Sequence, residues 1–399
     1  MQFQVKSQRN LFFLLPLLYF FGRMILGLSL LPNNLEGAGD LDTYFAWAQN
    51  NGWIYFDAWS EYPPLFPWIN KLIYLLSGGN YYFFLFLSVL VFSLAGALVI
   101  YVHGLIAERL HGQKEGFIRN LIFFGLLSPL PYTWWYFDLI PVLLMLLGIW
   151  YMLENKTVKS GVAIGLGILT KWFPVFALVA AWRCLPRKRA LQVTLIALGL
   201  TALVFGGLSI VSPEMTTASL KAQFGRNSYQ TLWALVDQNY TSGAVFLVEE
   251  QTNPALATYR RGNPAVIPTW ATLLVFGALG LYSISKVKAE KESNLIAVLG
   301  ITWALFLLWC PGWSPQWILY LLPLITLSLN WNKALFTASF FILLTIIEWP
   351  TLLIHGYFHT LWLIVPLRIG FFAYLIVSWV KALRNPQPPP EDKDLLPQT

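Results

Sequence analysis

This sequence predicts an all-α protein that crosses a membrane many times, and three observations carry that prediction. Hydrophobic residues make up 57% of the 399 positions and charged residues only 11%, where soluble domains carry about 25% charged. Apolar runs at 11–31, 81–107 and 191–211 each approach or exceed the roughly 20 residues a helix needs to cross a bilayer. The charges also sort by segment. Stretches 1–10, 108–119, 154–159, 183–190, 286–293, 330–333 and 381–399 hold 18 of the 26 Lys and Arg, and such an excess marks cytoplasmic loops. The net charge of +7 therefore reports topology, and nucleic acid is not an expected partner.

Taken in order, the run 11–31 is too long for a signal-peptide core and lacks a small-residue cleavage site, so it reads as a retained outward span. An outer segment, 32–80, follows. Inside it, 65–76 is too short to span, contains Lys71, and reads as an interfacial or re-entrant helix. Residues 81–107 return. Residues 117–133 go out and 139–153 come back, joined by Trp134, Trp135, Tyr136, Phe137 and Asp138. Runs 161–170 and 174–182 are each too short to cross alone, so they read as half-helices meeting near Lys171. The span 191–211 leads to a second outer segment, 212–268. Then 270–285 returns, 295–310 goes out, 317–329 comes in, 335–349 goes out and 361–383 comes in.

This gives about 12 segments in one membrane-embedded domain, residues 1–385, with both termini cytoplasmic. A Pro-rich tail, 386–399, is expected to be disordered. Cys184 and Cys310 fall at opposite ends and are not expected to pair. The four His show no metal-ligand spacing. No internal repeat is evident, which argues against an inverted-repeat carrier.

The chemistry concentrates in the outer segments. Asp40 and Asp42 follow the first span two residues apart. One of them acts as a general base, or the pair caps the helix that begins with Thr43. Asp57 and Glu61 are weaker candidates for the same role, or solvated loop charges. Tyr62-Pro63-Pro64-Leu65 makes a rigid turn that starts a helix and is placed to close the loop over a site. Asp138, after four aromatics, either binds sugar hydroxyls or faces water. Lys171 in Thr-Lys-Trp-Phe-Pro stands in apolar surroundings at a break made by Pro174. It pairs with an anion such as a phosphate, or snorkels to an interface.

Arg226 and Asn227, in Phe-Gly-Arg-Asn-Ser-Tyr ending at Tyr229, suit a phosphate and sugar hydroxyls, or form an ordinary polar loop. Gln316, between Trp313 and Trp317, suits carbohydrate stacking, or the indoles form an interfacial belt. Arg368 interrupts the last span and is expected to face the bundle interior. Walker, Gly-x-Ser-x-Gly, His-Glu-x-x-His and Rossmann patterns are absent from the sequence. That takes support from nucleotide-driven transport, serine hydrolysis, zinc proteolysis and dinucleotide redox chemistry.

Five of these pieces, in this order, resemble the GT-C superfamily of integral-membrane glycosyltransferases. Within it they are similar to the polyprenyl-phosphate-mannose-dependent mannosyltransferases of the GPI mannosyltransferase I type and their prokaryotic relatives. Asp40-Leu41-Asp42 matches the Asp-x-Asp motif after the first span. Tyr62-Pro63-Pro64-Leu65 matches a Tyr-x-Pro-Leu segment, and Lys171-Trp172-Phe173-Pro174 a Lys-x-aromatic-Pro element. Arg226-Asn227-Ser228-Tyr229 loosely matches an Arg-x-Asn-aromatic-Ser element. Ser314-Pro315-Gln316-Trp317 before Leu322-Pro323-Leu324 matches a Gln-containing turn before a span. Thr43 in place of an immediate tyrosine, and the missing residue between Arg226 and Asn227, favour a prokaryotic relative.

The resemblance implies a GT-C-type bundle whose outer segments 32–80 and 212–268 cover an extracytoplasmic active site. It implies inverting transfer of one sugar, mannose in that family, from a polyprenyl-phosphate donor to a lipid-linked or extracytoplasmic glycan acceptor. The enzyme would sit in the plasma membrane of a prokaryote. Asp40 would be the base with Asp42 second, and Lys171 and Arg226 would hold the donor phosphate. Asp138, Asn227, Tyr229, Gln316, Trp313 and Tyr62 would line the sugar and acceptor. No cofactor is required, and a divalent metal is left open. The rival readings are a lipid-linked-sugar flippase or other carrier, and an O-antigen-type polymerase or ligase.

Overall fold

The computed structural model describes residues 2–30, 39–50, 52–224, 227–241, 247–259, 262–285 and 291–384. Helices dominate, and among the described residues β-structure is limited to two isolated bridges, Ile54 with Ala58 and Tyr229 with Gly312. Among the described residues, six segments are long and apolar enough to cross a membrane: Phe13–Leu30, Tyr81–His111, Arg187–Val211, Glu292–Trp309, Trp331–His355 and Phe358–Arg384. Shorter apolar helices fill the spaces between them.

Helix Tyr81–His111 runs through the middle, about 46 Å long at 1.5 Å per residue. It packs on Gln2–Leu30, Gln113–Leu127 and Leu139–Leu153. Thr157–Thr170 lies against Leu139–Leu153 on one side and Arg187–Val211 on the other. Gly161 and Gly165, four apart, allow the second approach. A Cβ at either would stand 3.0 or 2.9 Å from the backbone oxygens of Val193 and Ala197, the close contact that small-xxx-small faces permit between spanning helices.

The break at Lys171 is as the sequence predicts. Pro174 has no N–H to continue the ladder and disfavours helical backbone just before it. Lys171 is extended (φ −158°, ψ 140°), a short 3₁₀ turn spans Phe173–Val175, and Phe176–Cys184 resumes the helix.

One expected span and one expected connecting segment differ. The stretch 117–133 stops at Leu127, with a short helix at Tyr132–Trp135, because Pro129 and Pro131 deny the backbone its donors. The outer segment 212–268 carries its own helices, Pro213–Phe224 and Leu232–Val236.

The basic segments meet at one end. Arg119 donates to Thr326 O (2.8 Å), His111 Nε2 lies 2.6 Å from Leu327 O, Arg189 bonds Glu292 (2.9 Å) and Met152 O (2.7 Å), and Arg183 bonds Ser285 O (3.0 Å). The outer acids and the Tyr-Pro-Pro turn lie at the other. There the two outer segments touch: Ser60 N–H donates to Ser219 Oγ (3.0 Å), and Trp59 bonds Gln251 O and Asn253 O (both 2.9 Å). The tail 386–399 lies outside the described residues.

Candidate active site

Asp40 begins helix Leu41–Asn50, which is pinned to helix Leu65–Leu76. Asn70 Nδ2 donates to Tyr44 O (2.7 Å) and Lys71 Nζ to Ala48 O (2.6 Å). A cluster of Leu41, Tyr44, Trp47, Phe66 and Phe137 fills the space between. Gly39 makes the approach to the next turn. Its φ is +61°, and a Cβ there would stand 2.2 Å from Trp135 Cβ, so only glycine fits. The Asp40 N–H points at Trp135 O (3.4 Å). Asp40 thereby lies beside the 128–138 turn, which carries Asp138.

Asp138 is buried at 1% exposure and pairs with Lys171, Nζ to Oδ1 2.6 Å. The lysine stands among three rings: 5.1 Å from the centroid of Phe137, 5.4 Å from Phe173 and 5.8 Å from Tyr62. The Tyr62 backbone is held in turn, since Tyr55 Oη donates to its carbonyl (2.9 Å). So the Tyr-Pro-Pro turn, the aromatic turn and the half-helix break meet at one place. The buried Tyr320 hydroxyl lies in the field of Asp138 and makes no hydrogen bond of ordinary geometry.

Asp40 is half-buried, and its carboxyl is pushed up from 3.8 to about 6. Burial is the main cause and the charge of Glu61 the second. Lys171 and the Tyr44 hydroxyl, which donates to Oδ2 (3.3 Å), pull the other way, and Asp138 adds a smaller rise. Burial first, and then Asp40, raise the Tyr44 hydroxyl well above its usual value, so it stays a donor. A carboxylate near 6 is ionised at neutral pH and basic enough to accept a proton from a hydroxyl.

Other expected residues stand elsewhere. Asp42 is exposed and accepts from Tyr81 Oη. Asp40 accepts from the Tyr44 hydroxyl and Asp42 from that of Tyr81, so the two aspartates do not face one point. Trp313 packs in the interior of the bundle. It is 1% exposed, its N–H donates to Glu348 (3.2 Å), and its ring lies 4.7 Å from the Arg368 guanidinium. Asn227 is half-buried near Gly262 and Asn239. Tyr229 lies flat on Gly312, with its hydroxyl 3.4 Å from Ser314 Oγ. Gln316 is buried in the Pro315–Trp317 turn, which packs on Tyr132–Trp135 and so reaches the site's end of the bundle. Arg226 lies outside the described residues. Among those described, no group of three or more His, Cys, Asp or Glu is placed to hold a metal ion.

Four features escaped the sequence. Glu61 is buried rather than solvated, and the rigid Pro63-Pro64 step after it was the available signal. Tyr44 and Tyr320 carried no motif. Glu348 forms a buried ion pair with Arg368, which also donates to Gln230 O. An acid in one span and a base in another were the only hint.

No family model matches the sequence, and no curated protein matches it. Among solved structures, the crystal structure of ArnT from Cupriavidus metallidurans in the apo state matches over 95% of this chain and 78% of that one. The TM-score is 0.50 and the identity 14%. At that identity the likeness establishes architecture, and the architecture is the GT-C fold.

Proposed function

We propose that the protein is an inverting glycosyltransferase. It moves a single sugar, mannose by the motif resemblance, from a polyprenyl-phosphate donor to a lipid-linked or extracytoplasmic glycan acceptor. The observation that carries this reading is the set Asp40, Asp138 and Lys171. Three chain segments far apart in sequence bring a raised-pKa carboxylate and a buried, aromatic-walled ion pair to one end of a GT-C bundle. Packing alone gives such residues no reason to converge.

Asp40 takes the proton of the acceptor hydroxyl as its oxygen attacks the anomeric carbon. The bond from that carbon to the phosphate oxygen breaks, and the polyprenyl phosphate leaves with the electron pair. Asp42 is the second candidate for the base. Lys171 and Arg226 offset the charge growing on the leaving phosphate. Asp138, Tyr62, Asn227, Tyr229 and Gln316 line the sugar and acceptor. Outer segments 32–80 and 212–268 form the cover, a role supported by their contacts through Trp59 and Ser60. The site faces the extracytoplasmic side of a prokaryotic plasma membrane. No cofactor takes part in the scheme.

Purified protein incubated with radiolabelled polyprenyl-phosphate mannose and a bacterial lipid extract tests the reading. Donor consumption is expected, with Asp40→Asn slower by at least about a hundredfold. If Asp40→Asn is active and Asp42→Asn is dead, the base is Asp42. Wild-type protein that binds the donor but never consumes it would leave a carrier.

A further inference from the structure

We propose that the wall made by Trp331–Ile346 and Leu361–Arg384 holds one anionic phospholipid, with its phosphate at Lys333 and an acyl chain along the groove between the helices. The site lies at the basic end of the bundle, opposite the aspartates, and stands apart from the glycosyltransferase reading.

The groove has a volume of about 350 Å³ and is lined by Phe336, Thr337, Phe340, Leu367, Phe371 and Tyr374. It opens outward: Phe336 is 77% and Phe340 51% exposed. In a chain of apolar spanning helices this wall meets hydrocarbon, so an apolar lining alone names no occupant. The polar end does. Lys333 Nζ donates to Ser378 Oγ (3.3 Å) and stands 5.2 Å from the Tyr374 ring centroid. None of the ion pairs among the described residues includes Lys333. Lys381 follows Ser378 by one helical turn, and Arg384 ends the same helix.

Lys333 also sits in the first turn of its helix, the end where the macrodipole disfavours a cation. Helix stability therefore does not explain it, and an anion would satisfy the lysine and that helix end together. From Lys333 to Phe340 the groove runs about 10 Å along the helix, enough for the upper part of an acyl chain. A ligand that brings a phosphate to the bundle's end and a chain down its apolar flank is a phospholipid.

Full-length protein in nanodiscs of phosphatidylcholine doped with phosphatidylglycerol, released into native mass spectrometry, tests this. The wild type is expected to retain one phosphatidylglycerol in preference to phosphatidylcholine. Lys333→Ala should cut that preference about tenfold or more, the scale of one hydrogen bond to a charged group. Lys333→Arg should keep it, which controls for folding. Phe340→Trp, which fills the groove with the cation intact, should also lose the lipid. Three results would each overturn the proposal: equal retention of both lipids by wild type and Lys333→Ala, displacement of phosphatidylglycerol by inorganic phosphate, or a dimer that Phe340→Trp dissolves while lipid retention is unchanged.

Discussion

Removing the charge of Lys171 is the most incisive perturbation the geometry offers. Its Nζ stands 2.6 Å from Asp138 Oδ1, and the two side chains are 9% and 1% exposed. At an effective dielectric constant near 20, unit charges at that distance attract by about 6 kcal/mol. Desolvation of both ions offsets most of that in the intact pair. Lys171→Ala keeps the desolvation of Asp138 and loses the attraction, a change that costs about 3–5 kcal/mol in buried pairs. The expected destabilisation is about 3–5 kcal/mol.

Reversible unfolding in mixed detergent–SDS micelles at pH 7 and pH 5 measures it. Lys171→Ala with Asp138→Asn leaves no stranded charge and should regain more than half of the lost stability. Donor affinity should stay low in that double variant, because neutralising Asp138 restores the fold without restoring a cation for phosphate. A single variant as stable as the wild type at both pH values would refute the buried pair. A double variant that recovers donor affinity along with stability would refute the role of Lys171 toward phosphate.

Four further outcomes are expected. In the proposed mechanism Asp40 works ionised, and its carboxyl is raised to about 6, so kcat/KM should be flat above that pH and fall about tenfold per unit below it. Glu61→Gln removes the charge that, after burial, does most to raise Asp40. The acid limb should move to lower pH, and an unmoved limb would separate Glu61 from Asp40. Arg368→Met strands Glu348, which is fully buried. Stability in the same micelle assay should drop by about 3–5 kcal/mol, recovering when Glu348→Leu is added; no drop would show that the pair contributes nothing. In protein lacking Cys184 and Cys310, Asp57→Cys should react with an impermeant thiol reagent from outside and Arg187→Cys should not. The reverse pattern would place Asp40 on the cytoplasmic side.

Much of the bundle was legible because bilayer-length apolar runs and basic loops obey simple rules of length and charge. The helix break at Lys171 was legible for a local reason, the proline three residues on. What composition cannot encode is direction. Asp40 and Asp42 look equivalent as letters, and only the course of the Leu41–Asn50 helix sends one toward Tyr44 and the other toward Tyr81. Trp313 and Trp317 likewise read as one aromatic pair. Both are buried, and Trp313 donates to Glu348, 35 residues away, a partner chosen by tertiary packing. Glu61 was left open between a site carboxylate and a solvated charge, because a loop position says nothing about burial when the loop folds back under another segment.

The charges around Asp40 set a constraint on any anionic donor. Asp40, Glu61 and Asp138 bring three carboxyls, and among the described residues Lys171 is the cation that acts on Asp40. With all three ionised the site carries an excess of two negative charges before a phosphate arrives. A phosphate beside Lys171 must compete with Asp138 for the same ammonium, so part of its binding energy goes into loosening a 2.6 Å ion pair. Protonating Asp40 relieves the excess, and its value near 6 leaves that proton within reach at neutral pH. In the proposed mechanism donor affinity and catalysis then want opposite states of one carboxyl: neutral for binding an anion, ionised for taking the acceptor's proton. The approach of the neutral acceptor hydroxyl, rather than the arrival of the donor, is the stage at which an ionised Asp40 is required. For that reason the pH dependence of donor binding should run opposite in sign to that of turnover, and a site built only for holding the lipid phosphate would have no use for Asp40 and Glu61 where they stand.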